Sequence, residues 1–309
     1  MLTGASGFVG SALLRRLQQD DCNVMVLVRA PTAPLANGIS RVCPREIVDT
    51  SDFTDRLAGI TTVVHLAARV HVMLETVPDP LAAFRAINVE GTLNLARQAA
   101  AAGLKRFVFI SSVKVNGEAT PPCQSFTEVD PASPRDFYGQ SKYEAERGLY
   151  QLSADTGMEV VIIRPPLVYG PGVKANLASL KTAVERGWPL PLGAVHNQRS
   201  LVALDNLVDF IVTCINHPNA ANQTFLVSDG QDLSTTELVR GLAQAAGVPV
   251  RLLPVPVWAL RTVASLLGKG DIVQRLCCNL QVDISKARGV LGWVPPISVE
   301  EGLRRTMAL

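Results

Sequence analysis

The chain has 309 residues and a formal net charge of +2, with 48% hydrophobic and 18% charged residues. Its length allows one large domain or two modest ones, because domains commonly run ~100–200 residues. The composition is that of a globular chain with a substantial core, and it excludes a disordered or fibrous protein. The nearly balanced charge argues against binding to nucleic acid or to a membrane surface.

Three glycines, Gly4, Gly7 and Gly10, occur near the start at the spacing G-x-x-G-x-x-G. Glycine at these positions permits a sharp turn out of a strand, a close approach of backbone to a pyrophosphate, and tight packing of the next helix. Residues 11–17 place apolar side chains at helical spacing, so the loop opens a helix whose N-terminus can hold phosphates. Only three residues precede Gly4, where a strand normally has ~4–6. Either the start codon is assigned too late or this strand is very short.

The run Val24–Val28 predicts a second strand, because it is continuous and rich in β-branched residues. It ends at Arg29, where an NAD site normally has Asp or Glu to bind the adenosine ribose. A guanidinium is suited to a 2′-phosphate, so this position favours NADP(H) over NAD(H). The alternative is an arginine that stacks on adenine or faces the solvent.

Strands and helices alternate through the next part of the chain. The pattern predicts a third strand ending at 47–50, strands at 61–67, 107–111 and 159–163, and helices at 80–103 and 138–156. This alternation predicts an α/β fold with a doubly wound parallel sheet, the Rossmann fold. Ligands of such sheets bind beyond the carboxyl ends of the strands.

The sequence pattern changes after residue 166, where segments rich in proline and glycine separate short helices. These helices are predicted at 177–186, 205–217 and 234–246. We therefore expect an NAD(P)-binding domain at 1–166 and a smaller mixed α/β substrate-binding part at 167–309, with some segments of the latter returning to the sheet.

The cysteines and histidines indicate neither disulfides nor a metal. The six cysteines show no C-x-x-C spacing and no signal peptide precedes them, so we expect reduced thiols in a cytoplasmic protein. Histidine and cysteine never fall at metal-ligand spacing, and no metal site is expected. The longest apolar stretch, 255–267, is interrupted by Arg261 and too short to cross a membrane.

Tyr138 and Lys142 are four residues apart on a predicted helix, so both side chains lie on one face of it. A nearby ammonium favours the phenolate and lowers the pKa of a tyrosine towards a range useful for proton transfer. The pattern Y-x-x-x-K is by itself common on solvated helices. Here Ser111 and Ser112 close a strand about two dozen residues upstream, where a hydroxyl can meet the same substrate oxygen.

The order of glycine loop, strand-end serine and Tyr/Lys helix resembles the extended short-chain dehydrogenase/reductase superfamily, in its NAD-dependent epimerase/dehydratase branch. The resemblance covers nearly the whole chain, through segments 64–68, 88–92, 111–117, 164–171 and 283–287. It implies an NAD(P)-dependent oxidoreductase that acts at C4 of a nucleotide-linked hexose, most often a UDP-sugar. It also implies a homodimer paired through the helices at 80–103 and 138–156.

The resemblance carries roles over to individual positions. It makes Ser112 the substrate-orienting hydroxyl, Tyr138 the acid/base, and Lys142 the residue that binds the nicotinamide ribose and tunes the tyrosine. Together with Arg29, the expected cofactor-binding residues are Gly4, Gly7, Phe8, Val9, Gly10, Asp49, Thr50, Leu66, Ala67, Ala68 and Pro165. The expected substrate-binding residues are Ser112, Lys114, Asn176, Arg199 and Arg275. Arginine suits a diphosphate because its planar fork binds two oxygens, with a solvated loop as the alternative for Arg199 and Arg275.

Two departures from the family pattern bear on the reaction. Sugar 4,6-dehydratases carry an Asp-Glu pair where this chain has Val113 and Lys114, so dehydration lacks its carboxylates. Leu167 stands where several UDP-hexose 4-epimerases carry asparagine. We expect NADPH-dependent reduction of a UDP-4-keto-6-deoxyhexosamine for surface polysaccharide. The alternative is a UDP-glucose or UDP-GlcNAc type 4-epimerase with retained NAD. A non-catalytic NAD(P)-sensing regulator is more remote, because such regulators typically lose the Tyr/Lys pair.

Overall fold

The structure is a computed structural model that describes residues 1–28, 39–44, 47–70, 77–268 and 270–308, with backbone alone at 39–44, 175 and 271–272. The strands are Leu2–Thr3 (β1), Val24–Val28 (β2), Ile39–Pro44 (β3), Thr62–His65 (β4), Arg106–Ile110 (β5), Glu159–Arg164 (β6), Leu167–Tyr169 (β7), Leu201–Ala203 (β8) and Gln223–Leu226 (β9). Seven of them form one parallel sheet in the order β3-β2-β1-β4-β5-β6-β9, and β7 pairs with β8 separately. This order confirms the Rossmann fold.

Helices cover both faces of the large sheet and build most of the smaller part. They are Phe8–Gln19 (α1), Thr54–Leu57 (α2), Pro80–Arg85 (α3), Thr92–Ala101 (α4), Phe137–Thr156 (α5), Ala175–Glu185 (α6), Leu204–Asn216 (α7), Thr235–Ala246 (α8), Val257–Leu266 (α9), Gly270–Cys277 (α10), Ser285–Leu291 (α11) and Val299–Met307 (α12). A π-helical turn at Ala86–Gly91 joins α3 to α4, so the helix predicted at 80–103 is one helical segment.

One predicted strand end is wrong. Residues 47–50 lie in a bend and turn, whereas β3 ends at Pro44. The Asn94 side chain on α4 donates to the carbonyl oxygens of Val48 at 3.0 Å and of Ser51 at 2.7 Å. These acceptors are therefore engaged by the helix rather than by a neighbouring strand.

The first strand is short, yet it lies in the middle of the sheet. Leu2 pairs with Val26 on β2 and with Val64 on β4. A cavity of about 760 Å³ lies at the amino ends of β1, β2 and β4. The ligands of doubly wound sheets bind at the carboxyl ends, so this cavity is remote from the candidate site.

Side chains of the strands alternate between two cores, one on each face of the sheet. On β5, Val108 and Ile110 pack towards α1 and α7, whereas Phe107 and Phe109 pack towards α4 and α5. A third core joins β7 and β8 to α6, α8 and α12. The strand β9 and the helix α7 come from the C-terminal half of the chain, and both pack in the large sheet or on it.

Candidate functional site

The glycine loop is folded tightly against the end of β4. Gly4 has a φ of +71°, and a Cβ added there would lie 2.7 Å from the Ala67 nitrogen and 2.8 Å from the Leu66 carbonyl carbon. A Cβ on Gly10 would overlap the Gly4 carbonyl oxygen, which also accepts a hydrogen bond from the Gly7 nitrogen at 2.9 Å. Side chains are therefore excluded at Gly4 and Gly10, and the loop meets the predicted Leu66–Ala68 segment as expected for a cofactor site.

Phe8 and Val9 are the first residues of α1, and Gly7 is its N-cap. The first N–H groups of an α-helix have no acceptor within the helix, and they carry the positive end of its dipole. Neither the cap nor the first turn of α1 places an acidic side chain there. This end of α1 consequently fits the phosphates of a dinucleotide.

A buried hydrogen-bonded chain that the sequence did not reveal supports the loop. The Thr3 hydroxyl is hydrogen-bonded to His65 Nδ1 at 2.8 Å, and His65 Nε2 to the Thr92 hydroxyl at 3.0 Å. The Ala67 nitrogen donates to the Thr3 hydroxyl at 3.2 Å. Burial lowers the pKa of His65 to about 3, so the ring is neutral. The chain thus connects β1, β4 and α4 without a buried charge.

Tyr138 and Lys142 lie one turn apart on α5, at the carboxyl end of β5. Lys142 Nζ lies 5.9 Å from the centroid of the Tyr138 ring and 4.3 Å from that of Phe109. It also donates to the Ile110 carbonyl oxygen at 2.8 Å. The structure therefore brings the predicted tyrosine and lysine together where ligands of the fold bind.

The electrostatics of this pair differ from the sequence-based expectation. Burial lowers the pKa of Lys142 to about 7, and Glu146 opposes that shift. Burial raises the pKa of Tyr138, and the charge of Asp136 raises it further. The expected lowering of the tyrosine pKa is wrong for this structure, because burial and the Asp136 carboxylate both act in the opposite direction.

The two serines after β5 have distinct surroundings. Ser112 caps a 3₁₀ turn at Val113–Val115, and its oxygen accepts from the Lys114 nitrogen at 3.2 Å. Within the described ranges the hydroxyl proton of Ser112 has no acceptor, so it is left to donate to a ligand. The buried Ser111 hydroxyl has no hydrogen-bond partner in the described part of the chain. A buried hydroxyl is costly to leave unpaired, so this end of β5 fits a ligand with polar groups.

Lys114 is held by carboxylates. Its ammonium forms an ion pair with Asp136 and lies 3.7 Å from Glu118. Asp136 is also the N-cap of α5 and accepts from the Gly139 nitrogen at 2.7 Å. Lys114, expected to contact substrate, is thus tied to the helix end that carries Tyr138. An aspartate just before a helix is an N-cap signal, and it identifies Asp136 in the sequence.

The three other predicted substrate residues lie in the smaller part. Arg199 donates to the Cys278 carbonyl oxygen at 3.0 Å, and burial lowers the pKa of its guanidinium. Cys278 follows α10, which carries Arg275 on its exposed side. Asn176 is exposed in the first turn of α6. Among the described residues, no hydrogen bond or ion pair joins Asn176 or Arg275 to Arg199 or to Tyr138.

The remaining predicted cofactor residues are placed as follows. Asp49 and Thr50 are exposed in the turn after β3. The Pro165 carbonyl oxygen accepts from the Val113 nitrogen at 3.0 Å, which joins the end of β6 to the turn after Ser112. Arg29 lies outside the described residues.

Within the described ranges, no group of three His, Cys, Asp or Glu side chains could share a metal ion. No helix in the same ranges is long and apolar enough to cross a membrane. The five cysteines whose side chains the structure describes are free thiols.

The chain is similar to known proteins over nearly its whole length. The model of the NAD dependent epimerase/dehydratase family matches residues 1–228. A UDP-glucose 4-epimerase of Vibrio cholerae is 51% identical over 308 residues, covering 99% of this chain and 93% of the relative. An N-acetyl-alpha-D-glucosaminyl-diphospho-ditrans,octacis-undecaprenol 4-epimerase of Escherichia coli O157:H7 is 29% identical, covering 99% of this chain and 93% of the relative.

A solved structure of MoeE5 in complex with UDP-glucuronic acid and NAD is 25% identical, with a TM-score of 0.78, covering 99% of this chain and 96% of that one. The family match spans most of the chain, and the relatives span nearly all of it. The glycine loop and the Tyr/Lys helix lie where such a fold binds its ligands. This chain is therefore an enzyme of the NAD dependent epimerase/dehydratase family.

Proposed function

We propose that this enzyme transfers hydride at C4 of a UDP-linked hexose, with Ser112, Tyr138 and Lys142 as its catalytic residues. The observation that carries the proposal is the placement of Tyr138 and Lys142 one turn apart at the carboxyl end of β5, which Ser112 follows. The Vibrio relative is named for a UDP-sugar, and MoeE5 was solved with one.

The glycine loop, residues 66–68, Ser111 and Lys142 would hold a nicotinamide dinucleotide, which when bound supplies or accepts the hydride. Gly4 and Gly10 let the loop pack tightly at the N-terminus of α1, whose free N–H groups suit its phosphates, and Ser111 offers an unpaired hydroxyl. We assign Asp49 and Thr50 to the adenine end and Pro165 to the nicotinamide end. The proposed preference for NADP(H) rests on Arg29, whereas the MoeE5 structure contains NAD.

The side chains of the site are in the state that proton donation requires. The raised pKa of Tyr138 keeps its phenol protonated near neutral pH, ready to donate to an oxygen at C4. The Ser112 oxygen already accepts from the Lys114 nitrogen, so its proton is available to the same substrate oxygen. With a pKa of about 7, Lys142 can lose or regain a proton near neutrality and so can reprotonate Tyr138 through water.

Reduction of a UDP-4-keto-6-deoxyhexosamine, a sugar for surface polysaccharide, is our preferred form of this reaction. The buried Val113 and the ion-paired Lys114 replace the carboxylates that dehydration requires. Leu167 replaces the asparagine found in several 4-epimerases and is 45% exposed at the start of β7. In the smaller part, Arg199, Asn176 and Arg275 are our candidates for the diphosphate, and Lys114 acts at the helix end instead.

The second candidate is 4-epimerisation of a UDP-hexose. The observation that favours it is the 51% identity to the Vibrio UDP-glucose 4-epimerase. An epimerase needs the same serine, tyrosine and lysine, because it removes a hydride at C4 and returns it.

Nucleotide content and substrate turnover distinguish the two reactions. For the reductase we expect purified protein without bound nucleotide, and oxidation of one NADPH for each UDP-4-keto-6-deoxyhexosamine reduced. The measurements are the absorbance of nucleotide extracted from the protein and the decrease in NADPH absorbance. Tightly held NAD with interconversion of UDP-glucose and UDP-galactose would establish the epimerase instead. Absence of both reactions would refute hydride transfer at C4.

The pH dependence should report the ion pair at the start of α5. Asp136 raises the pKa of Tyr138, and Lys114 partly neutralises that carboxylate. We expect D136N to move the alkaline limb of kcat/KM for reduction to lower pH, because the proton donor then ionises earlier. K114M should move it to higher pH, and K114R should restore it. Identical pH profiles in the unmodified protein, D136N, K114M and K114R would contradict this coupling. Asparagine also caps helices, so D136N should preserve the fold.

We also propose a homodimer paired through the helical segment 80–101 and α5. These helices pack together within the chain, with Leu93 against Gly148. Sedimentation equilibrium should give twice the chain mass at micromolar concentration. A monomer under those conditions would contradict the proposal.

A further inference from the structure

An exposed apolar surface surrounds α9 in the smaller part of the protein. Trp258 is 71% exposed and Leu266 83%, and both lie on the outer face of this helix. Val263 and Leu267 are also exposed, whereas Ala264 is buried against the rest of the protein. The outer face of α9 therefore exposes large apolar side chains among the polar residues Arg261, Thr262 and Ser265, where a surface helix normally carries polar residues alone.

A neighbouring loop pair extends this surface. The Leu190 nitrogen donates to the Arg251 carbonyl oxygen and the Leu253 nitrogen to the Leu190 carbonyl oxygen, both at 2.8 Å, so the two segments run side by side. They expose Trp188 and Leu253. We define the α9 surface as Trp188, Val250, Leu253, Trp258, Val263, Leu266 and Leu267. The loop pair and α9 pack on the same core through Leu190, Leu252, Val257 and Leu260, so their exposed apolar residues lie on neighbouring elements. Exposed apolar residues in such numbers mark interaction sites.

The segments that form the α9 surface are flanked by more basic than acidic residues. In the sequence the acidic ones are Glu185, which is ion-paired with Lys181, and Asp271. The chain from Gly247 to Gly268 contains Arg251 and Arg261 and no aspartate or glutamate. Arg186 stacks over the Trp188 ring, 5.3 Å from its centroid. All three arginines are exposed. The net charge of the whole chain argues against binding to a membrane surface. That total does not describe the local distribution of charge around the α9 surface.

We propose that the α9 surface docks on an anionic lipid bilayer. Tryptophan and arginine beside exposed leucines suit the interface, because the rings sit at headgroup level and the cations meet anionic lipids. A second copy is a poorer occupant, because a two-fold interface would bring the arginines of both copies together. The helix α9 packs on α10, and Cys278, which follows α10, accepts a hydrogen bond from Arg199. Docking through α9 would therefore keep the proposed substrate-binding part at the bilayer.

The test is co-sedimentation of the intact protein with vesicles and uses no substrate, so its outcome is independent of the proposed reaction. Vesicles of phosphatidylglycerol and phosphatidylcholine in equal parts are compared with vesicles of phosphatidylcholine alone. We expect binding to the anionic vesicles only, and weaker binding at higher salt. W258S/L266S should weaken it by about tenfold or more, since it removes two inserting side chains.

The matched control is V129S, which alters a residue 90% exposed on another surface and should bind like the unmodified protein. R251E/R261E, which keeps the apolar residues, should also lose binding to the anionic vesicles and covers the case in which W258S/L266S fails to fold. Equal binding to both vesicle types, no binding, or unchanged binding by a folded α9 variant would overturn the proposal. So would self-association without vesicles that W258S/L266S abolishes, because the occupant would then be a second copy.

Discussion

Replacing Tyr138 by phenylalanine should lower turnover by about 10²–10⁴, the range typical of a lost general acid, and leave dinucleotide affinity nearly unchanged. The phenylalanine ring keeps the packing against Phe84, which lies 6.4 Å away between ring centroids. Only the proton donor is removed. The measurement is steady-state reduction of the 4-keto sugar, with NADPH affinity determined separately by fluorescence titration.

Two variants on the same helix serve as comparisons. Y143F removes a hydroxyl next to Lys142 that has no assigned role, and it should keep near-normal turnover. K142M should impair both turnover and cofactor affinity, because Lys142 is expected to bind the ribose and to reprotonate Tyr138 through water. If Y138F retained more than about a tenth of normal turnover, a loss under 1.4 kcal/mol, Tyr138 would not be the acid.

Replacing Arg164 by methionine should destabilise the protein by about 3–5 kcal/mol, because it leaves a buried carboxylate without its cation. Arg164 donates to both oxygens of Glu146, at 2.9 and 2.5 Å, and to the Asn116 side-chain oxygen at 3.1 Å. Glu146 is 2% exposed and lies one turn beyond Lys142 on α5. Urea unfolding followed by circular dichroism gives the free energy of unfolding.

The double variant E146Q/R164M tests the cause of that loss. It removes the unpaired charge along with the cation, so it should be more stable than R164M alone. R304M breaks the exposed pair with Glu301 and should have little effect, because solvent already screens that pair. A destabilisation by R164M no larger than that by R304M would show that the buried pair does not stabilise this fold.

Local patterns in the sequence sufficed for β2, β4, β5 and β6, for the glycine loop and for the spacing of the Tyr/Lys pair, but not for β3 or for the later strands β7, β8 and β9. Strand and helix periodicities depend on neighbours along the chain, and residues four apart on a helix share a face wherever the helix packs. The sharp turn at Gly4 follows the same logic, because its φ of +71° favours glycine. These features could be predicted because the residues that determine them are adjacent in the sequence or recur at fixed spacing.

Contacts between residues far apart in the sequence decided the pKa values and the hydrogen-bond partners of the site residues. The pKa of Tyr138 rises because folding removes water from its ring, and the spacing to Lys142 carries no information about that burial. Lys114 meets Asp136, and Arg199 meets Cys278, only because separate elements pack together. The sequence by itself determined the alternation of strands and helices and the choice of residues proposed to carry the chemistry. The tertiary structure determined the partners and solvation of those residues, because charge interactions and burial depend on distances across the fold.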